Sequence, residues 1–163
     1  MTQLRIGLGV DAHAFADGVR LVLGGVEVEA PRGLAGHSDG DVIAHALIDA
    51  VLGAAGFGDI GSLFPSGDPA WEGVSSLDLL QRAAAEVREA GWELVNADCI
   101  LVGEEPRIAP LRAQMGERLA AALGVEVSRV TVRATTTDAL GFTGRREGLA
   151  AQAVALVRAT SGG

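Results

Sequence analysis

Between Asp41 and Ala55 the chain has the length of a helix, is rich in Ala and Leu, and is followed by the stop signals Gly56 and Gly58. Apolar residues surround almost the whole of this segment, so the helix must be buried rather than laid on a surface. Only Asp41, His45 and Asp49 interrupt the apolar wrap, and they fall at four-residue steps along one face. A polar stripe on a buried helix is costly without partners, so other parts of the chain must come to meet it.

Leu4, Ile6, Leu8 and Val10 alternate with Arg5, Gly7 and Gly9, the period of a strand with one buried, apolar face. The opposite face then carries Asp11 and His13 at the strand's end. Gly7-Leu8-Gly9-Val10-Asp11-Ala12 loosely matches a dinucleotide-binding fingerprint, but that motif must open a helix and here another extended run follows. Arg20 to Val28, interrupted by Gly24-Gly25, reads as a hairpin leading into the turn at Pro31-Arg32-Gly33. Residues 56 to 74 are rich in glycine, contain Pro65 and Pro69, and predict a long loop that touches a ligand.

A second helix starts at Ser75, which can cap with Asp78, and places Leu77, Leu80, Ala84 and Val87 inward until Gly91. A strand follows from about Leu94 to Val102, and a third helix carries Leu111, Met115, Leu119 and Leu123 before Gly124. Val130, Val132 and Ala134 alternate as a strand. In the tail, Gly148 to Ala159, the alanines favour helix while Val154 and Leu156 are compatible with a strand; propensity alone reads helix. With no repeat or linker, this order predicts a single domain over residues 1–163, an α/β sandwich with helices covering a mixed sheet.

The 163 residues are 48% apolar, enough for a real core. The formal charge is −8 and all 13 basic residues are arginine, which argues against nucleic acid as a partner. Positive charge for a phosphorylated ligand would have to come from metal ions, helix N-termini and a few placed arginines. The single cysteine, Cys99, lies in an apolar run and has no expected chemistry. No apolar run is long enough for a bilayer, and the Met1 to Arg5 start lacks a signal-peptide core, which predicts a cytoplasmic protein with no membrane partner.

Asp11 and His13, two apart on a strand, leave the same face and can converge on one ion, with His45 from the buried helix as third ligand. Two imidazoles and one carboxylate suit zinc and leave a fourth position for a ligand oxygen. Asp49 is placed to orient the His45 imidazole. Taken singly, His45 reads as a core histidine and Asp11 as a turn residue; only the three together reverse this in favour of the metal. The run His37-Ser38-Asp39-Gly40-Asp41 precedes the helix either as a phosphate cradle or as an ordinary cap from Ser38 or Asp39. Thr135-Thr136-Thr137-Asp138 leads to Gly141-Phe142-Thr143-Gly144-Arg145, and such a run holds phosphate oxygens and a hard cation unless it reflects β-propensity alone.

Several of these segments, in order, closely resemble the 2-C-methyl-D-erythritol 2,4-cyclodiphosphate synthase family over nearly the whole chain. The signatures are Gly9-Val10-Asp11-Ala12-His13, Ala35-Gly36-His37-Ser38-Asp39-Gly40-Asp41, Gly58-Asp59-Ile60-Gly61 with Phe64-Pro65, and Ala134-Thr135-Thr136-Thr137 with Gly141-Phe142-Thr143-Gly144-Arg145. The resemblance implies an α+β fold, a ferredoxin-like α/β sandwich with the tail as a strand, assembled as a homotrimer with active sites between subunits. It implies a cytidine diphosphate-linked substrate whose 2-phosphate attacks the β-phosphorus and expels CMP.

Carried over by resemblance, Asp11, His13 and His45 are ligands of Zn2+, with Mn2+ as an alternative. Asp138 stands where many relatives have Glu for a Mg2+ or Mn2+ that bridges the diphosphate. His37 and Thr136 match transition-state stabilisers and Ser38 a phosphate donor. Asp59, Ile60 and Gly61 match the methylerythritol-binding segment, with the loop Phe64, Pro65, Ser66, Gly67 and Asp68 beside it, where Ser66 replaces a frequent Asp. The stretch Gly103, Glu104, Glu105, Pro106, Arg107, Ile108 and Ala109 corresponds to the cytosine pocket. Thr135, Thr137, Phe142 and Arg145 match further substrate positions, Arg145 and Glu147 alternatively lining the trimer axis. Two other readings remain: a metal-dependent phosphohydrolase, and a trimeric binding protein with a structural metal.

Overall fold

The computed structural model describes residues 2–160, so Met1 and residues 161–163 of the expected domain lie outside the described residues. In chain order the strands are β1 Leu4–Ala16, β2 Leu21–Leu23, β3 Val26–Val28, β4 Gly33–Leu34, β5 Trp92–Val102, β6 Val130–Thr135 and β7 Gly148–Ala159. The helices are α1 Val42–Ala55, α2 Ile60–Leu63, α3 Ser76–Glu89, α4 Arg112–Leu123 and α5 Gly141–Gly144. Five strands form one mixed sheet in the order β4-β1-β7-β5-β6, with β5 and β6 parallel and the other neighbours antiparallel. The longer helices pack on one face, which is the α/β sandwich expected.

The buried face of β1 is the opposite of the one that its apolar residues suggest. Leu4, Ile6, Leu8 and Val10 point away from the helices, and Ile6 is 74% exposed. Gly7 and Gly9 face α1 instead, because the helix backbone comes too close for any side chain. A Cβ on Gly7 would lie 1.9 Å from the Ala50 carbonyl oxygen, and one on Gly9 1.8 Å from that of Ala46. Alternation locates a strand, but it does not say which face is covered. The same parity places Asp11 and His13 under α1. They lie inside the strand rather than at its end, since β1 continues to Ala16.

Helix α1 is buried along nearly its whole length between the sheet, α3 and the β2–β3 hairpin. Its N-cap is Asp41, whose Oδ1 accepts from Ala44 N and, at 2.9 Å, from Gly24 N, while Oδ2 accepts from Gly25 N at 2.7 Å. One carboxylate therefore closes the helix and stitches the hairpin turn to it. Burial pushes the Asp41 carboxyl up to about 6, against the pull of those N–H donors. The helix stops at Gly56, which adopts a left-handed conformation at φ 84°.

The tail is strand β7, as the resemblance implies and contrary to propensity. It fills the slot between β1 and β5, pairing with both along almost its full length. Those long-range hydrogen bonds outweigh the few tenths of a kcal/mol per residue by which alanine prefers helix. Ala151, Ala153 and Ala155 are fully buried beneath α1, where small side chains keep helix and sheet close. Among the described residues no helix is long and apolar enough to cross a membrane.

Candidate metal centre

Asp11 and His13 from β1 meet His45 from the first turn of α1. His13 Nε2 lies 2.8 Å from Asp11 Oδ2 and 3.3 Å from His45 Nδ1, and His45 Nδ1 lies 3.0 Å from Asp11 Oδ2. All three side chains are partly buried. Burial alone pushes the Asp11 carboxyl up, but the adjoining His13 and His45 imidazoles outweigh it and bring the group down to about 2. His13 is raised by its hydrogen bond to Asp11, with burial opposing and the Ala35 backbone carbonyl assisting.

The donor set fits a divalent cation. A tetrahedron with metal–ligand bonds of about 2.0 Å has edges of roughly 3.3 Å, close to the separations between these atoms. A carboxylate oxygen and two imidazole nitrogens are borderline ligands suited to zinc-like ions. The fourth side opens into a cleft of about 630 Å3, where a ligand oxygen can approach. Three protein ligands and an open position are the arrangement of reactive rather than purely structural sites.

His37, Ser38, Ile60, Gly61, Phe64, Ser66, Gly67 and Asp68 line this cleft together with the three metal-site residues. Asp59 and Pro65 are their exposed chain neighbours, and Asp59 caps α2 by accepting from Ser62 N and Oγ at 2.8 Å each. Residues 56–74 are thus more ordered than a plain loop, containing α2 and a single turn at Pro69–Trp71. The opening of α1 is capped by Asp41, which accepts from Ala44 N, rather than by Ser38 or Asp39.

Asp49 does not orient His45. Its Oδ1 accepts from Ile60 N at 2.7 Å, fixing the start of α2 against α1. The outer ring nitrogen of His45 instead meets Ser76 Oγ at 2.8 Å and Ser38 Oγ at 3.0 Å. Neither Ser76 nor Trp71, which packs edge-on against Phe64 at 5.1 Å in the cleft wall, was signalled by the sequence. A serine at a helix start looks like a cap, and nothing local distinguishes this one.

The remaining candidates form a second cluster. Gly103 N donates to Thr135 O at 3.0 Å, and Glu104 accepts from Ala139 N at 3.1 Å, which ties the 103–109 stretch to the threonine loop. Thr136 Oγ1 lies 3.3 Å from Asp138 Oδ1, and Thr137 Oγ1 lies 3.0 Å from Thr143 Oγ1. Asp138 and Ala139 have φ of 51° and 65°, a left-handed conformation that is uncommon outside glycine. Ile108 is a core residue; Glu105, Arg107 and Ala109 are exposed, with Pro106 half-buried between them. Phe142 and Arg145 are exposed, and Arg145 pairs with Glu147 at 2.8 Å.

Within one chain these two clusters do not meet. Asp11 pairs across β7 and β5 to Ala134 through Ala151 and Leu101. Three strand spacings of about 4.8 Å separate them by roughly 14 Å.

The fold and centre together define an α/β protein with a candidate metal site at an open cleft. The YgbB family model matches residues 4–158, and the chain belongs to that family. A 2-C-methyl-D-erythritol 2,4-cyclodiphosphate synthase of Rubrobacter xylanophilus is 56% identical over 99% of this chain and 99% of its own. The bifunctional IspDF structure from Campylobacter jejuni superposes with a TM-score of 0.94 at 40% identity, covering 98% of this chain and 43% of that larger one. The CDP complex of IspF from Plasmodium falciparum has a TM-score of 0.85 at 28% identity, covering 99% of each chain.

Proposed function

We propose that this chain catalyses the cyclisation of 4-diphosphocytidyl-2-C-methyl-D-erythritol 2-phosphate to 2-C-methyl-D-erythritol 2,4-cyclodiphosphate with release of CMP. The carrying observation is the convergence of Asp11, His13 and His45 on one point at the edge of a cleft. In the reaction an oxygen of the 2-phosphate attacks the β-phosphorus, the bond from that phosphorus to the α-bridging oxygen breaks, and CMP departs with the electron pair. Both ends belong to one molecule, so the protein's main task is to hold them in line.

A Zn2+ or Mn2+ held by Asp11 Oδ2, His13 Nε2 and His45 Nδ1, with a Mg2+ or Mn2+ at Asp138, would neutralise charge on the phosphoryl oxygens. His37 and Thr136 supply hydrogen bonds to the oxygens that gain charge, and Ser38 donates beside His37. Asp59, Ile60 and Gly61, with the wall from Phe64 to Asp68, hold the methylerythritol end. Backbone groups from Gly103 to Ala109 read the cytosine, and Thr135, Thr137, Phe142 and Arg145 contact the remainder.

The chain works as one domain in a homotrimer whose sites are shared between neighbours. Two observations support this. The Asp11 and Thr136 clusters stand strands apart within one chain, so a single substrate needs the second cluster from another copy. Leu4, Ile6, Leu8, Val10 and Val154 leave the uncovered sheet face exposed and apolar, which marks an association surface.

The test is incubation of the purified protein with the cytidylylated substrate, Zn2+ and Mg2+. Equimolar CMP and cyclic product are expected, with no solvent oxygen in the product. Absence of both products rejects the reading, and incorporation of labelled water oxygen replaces it with a phosphohydrolase.

A further inference from the structure

We propose that Ser76, backed by Asp39, is a positioning residue of the metal centre: it holds His45 with the proton on Nε2 and a bare Nδ1 turned to the cation. This rests on the metal reading of the Asp11–His13–His45 site given above. Ser76 is fully buried and opens α3. Its hydroxyl donates to Asp39 Oδ1 in a short hydrogen bond, and its N–H donates to Asp39 Oδ2 at 3.0 Å. Asp39 Oδ1 also accepts from Asp41 N at 3.1 Å.

The consequence follows from counting protons. An ionised carboxylate only accepts, and a serine hydroxyl carries a single proton. With that proton committed to Asp39, Ser76 Oγ can only accept at its 2.8 Å contact with His45 Nε2. His45 must then carry its proton on Nε2. Nδ1, which lies 3.0 Å from Asp11 Oδ2 and 3.3 Å from His13 Nε2, is left as a lone pair for the metal. Ser38 Oγ, 3.0 Å from the same Nε2, lies on the cleft side and can share that proton while its own hydroxyl turns to a ligand. The Asp39–Ser76 pair also ties the start of α3, and with it the end of the 56–74 segment, to the metal centre.

Zn2+ affinity measured by chelator competition, together with the visible absorption of Co2+ bound in its place, tests this on the wild type, Ser76→Ala, Ser76→Thr and Asp39→Asn. Ser76→Ala and Asp39→Asn are expected to bind Zn2+ roughly 10–100-fold more weakly, as removal of such an outer partner does elsewhere. Ser76→Thr, which keeps the hydroxyl, is expected to stay close to wild type. Circular dichroism confirms that each variant is folded. Folded Ser76→Ala and Asp39→Asn proteins with wild-type affinity overturn the positioning role. A wild type that takes up no Zn2+ overturns the metal reading itself and this proposal with it. Should the variants not fold, nitrogen-15 NMR of the Zn2+-loaded wild type decides: a protonated Nε2 and a metal-bound Nδ1 are expected for His45, and metal bound through Nε2 overturns the proposal.

Discussion

The two halves of the candidate site are built differently. The Asp11–His13–His45 half stands on the long strand β1 and a buried helix, and its side chains are already tied to one another and to Ser76 behind them. The Thr135–Arg145 half stands on the edge strand β6 and a loop with two left-handed non-glycine residues, Asp138 and Ala139, and most of its polar groups are exposed. A group held on rigid elements is complete before a ligand arrives, whereas one displayed at an edge is finished by something outside the chain. The first half is the candidate metal centre, and the second is the half that the proposed trimer would bring to it from a neighbouring copy.

The largest effect should come from the complete half. His45→Ala is expected to lose stoichiometric metal and about 1000-fold or more in turnover while keeping its circular dichroism spectrum. Unchanged turnover with metal gone would strip the centre of its catalytic role.

The contrast sharpens on mixing. His45→Ala and Thr136→Ala chains, each nearly inactive alone, should regain activity when unfolded and reassembled together in equal amounts. If each site takes its metal from one copy and Thr136 from the next, one half times one half of the sites, about a quarter of wild-type activity, should return. Activity that stays at the level of the separate variants would place both groups in one chain's site.

Leu8→Asp probes the bare sheet face. On a free surface the change would be worth at most about 0.5 kcal/mol. Here sedimentation is expected to show loss of the trimer, with turnover falling alongside. A stable, active trimer carrying Asp at that position would break the shared-site picture.

The smallest expected change is in stability. Asp41→Asn leaves at least one of the Gly24, Gly25 or Ala44 N–H groups without an acceptor and should cost about 1–3 kcal/mol in denaturant titrations of the metal-free protein near neutral pH. The pH dependence carries a sign. Asp41 in the folded chain sits at about 6, above its ordinary value of 3.8, so its contribution is fully present below 3.8 and is lost as the pH rises through 6. The Asn variant should lack that part of the slope, and equal slopes would contradict the buried carboxylate.

Much of this was legible in the chain. The two-residue spacing put Asp11 and His13 on one face, and the polar stripe on a buried helix picked out His45. The glycines of β1 carried a signal that its apolar residues masked, since glycine at alternate strand positions marks a close backbone approach. Gly7 and Gly9 make that approach to α1. Asp49 lies one turn from His45 along the same helix, which suggests a partner for the imidazole, yet its carboxylate faces α2. Ser76 lies 31 residues from His45, beyond the reach of any local pattern.

By itself the sequence determined the types of the main helices and strands, the donor set of the metal centre and its family, because periodicity and side-chain chemistry are local properties. Only the tertiary structure decided which face of β1 is covered, that the alanine-rich tail lies between β1 and β5, and which group holds the second nitrogen of His45. Those outcomes depend on pairings between distant segments, where hydrogen bonds and close packing outweigh intrinsic preference.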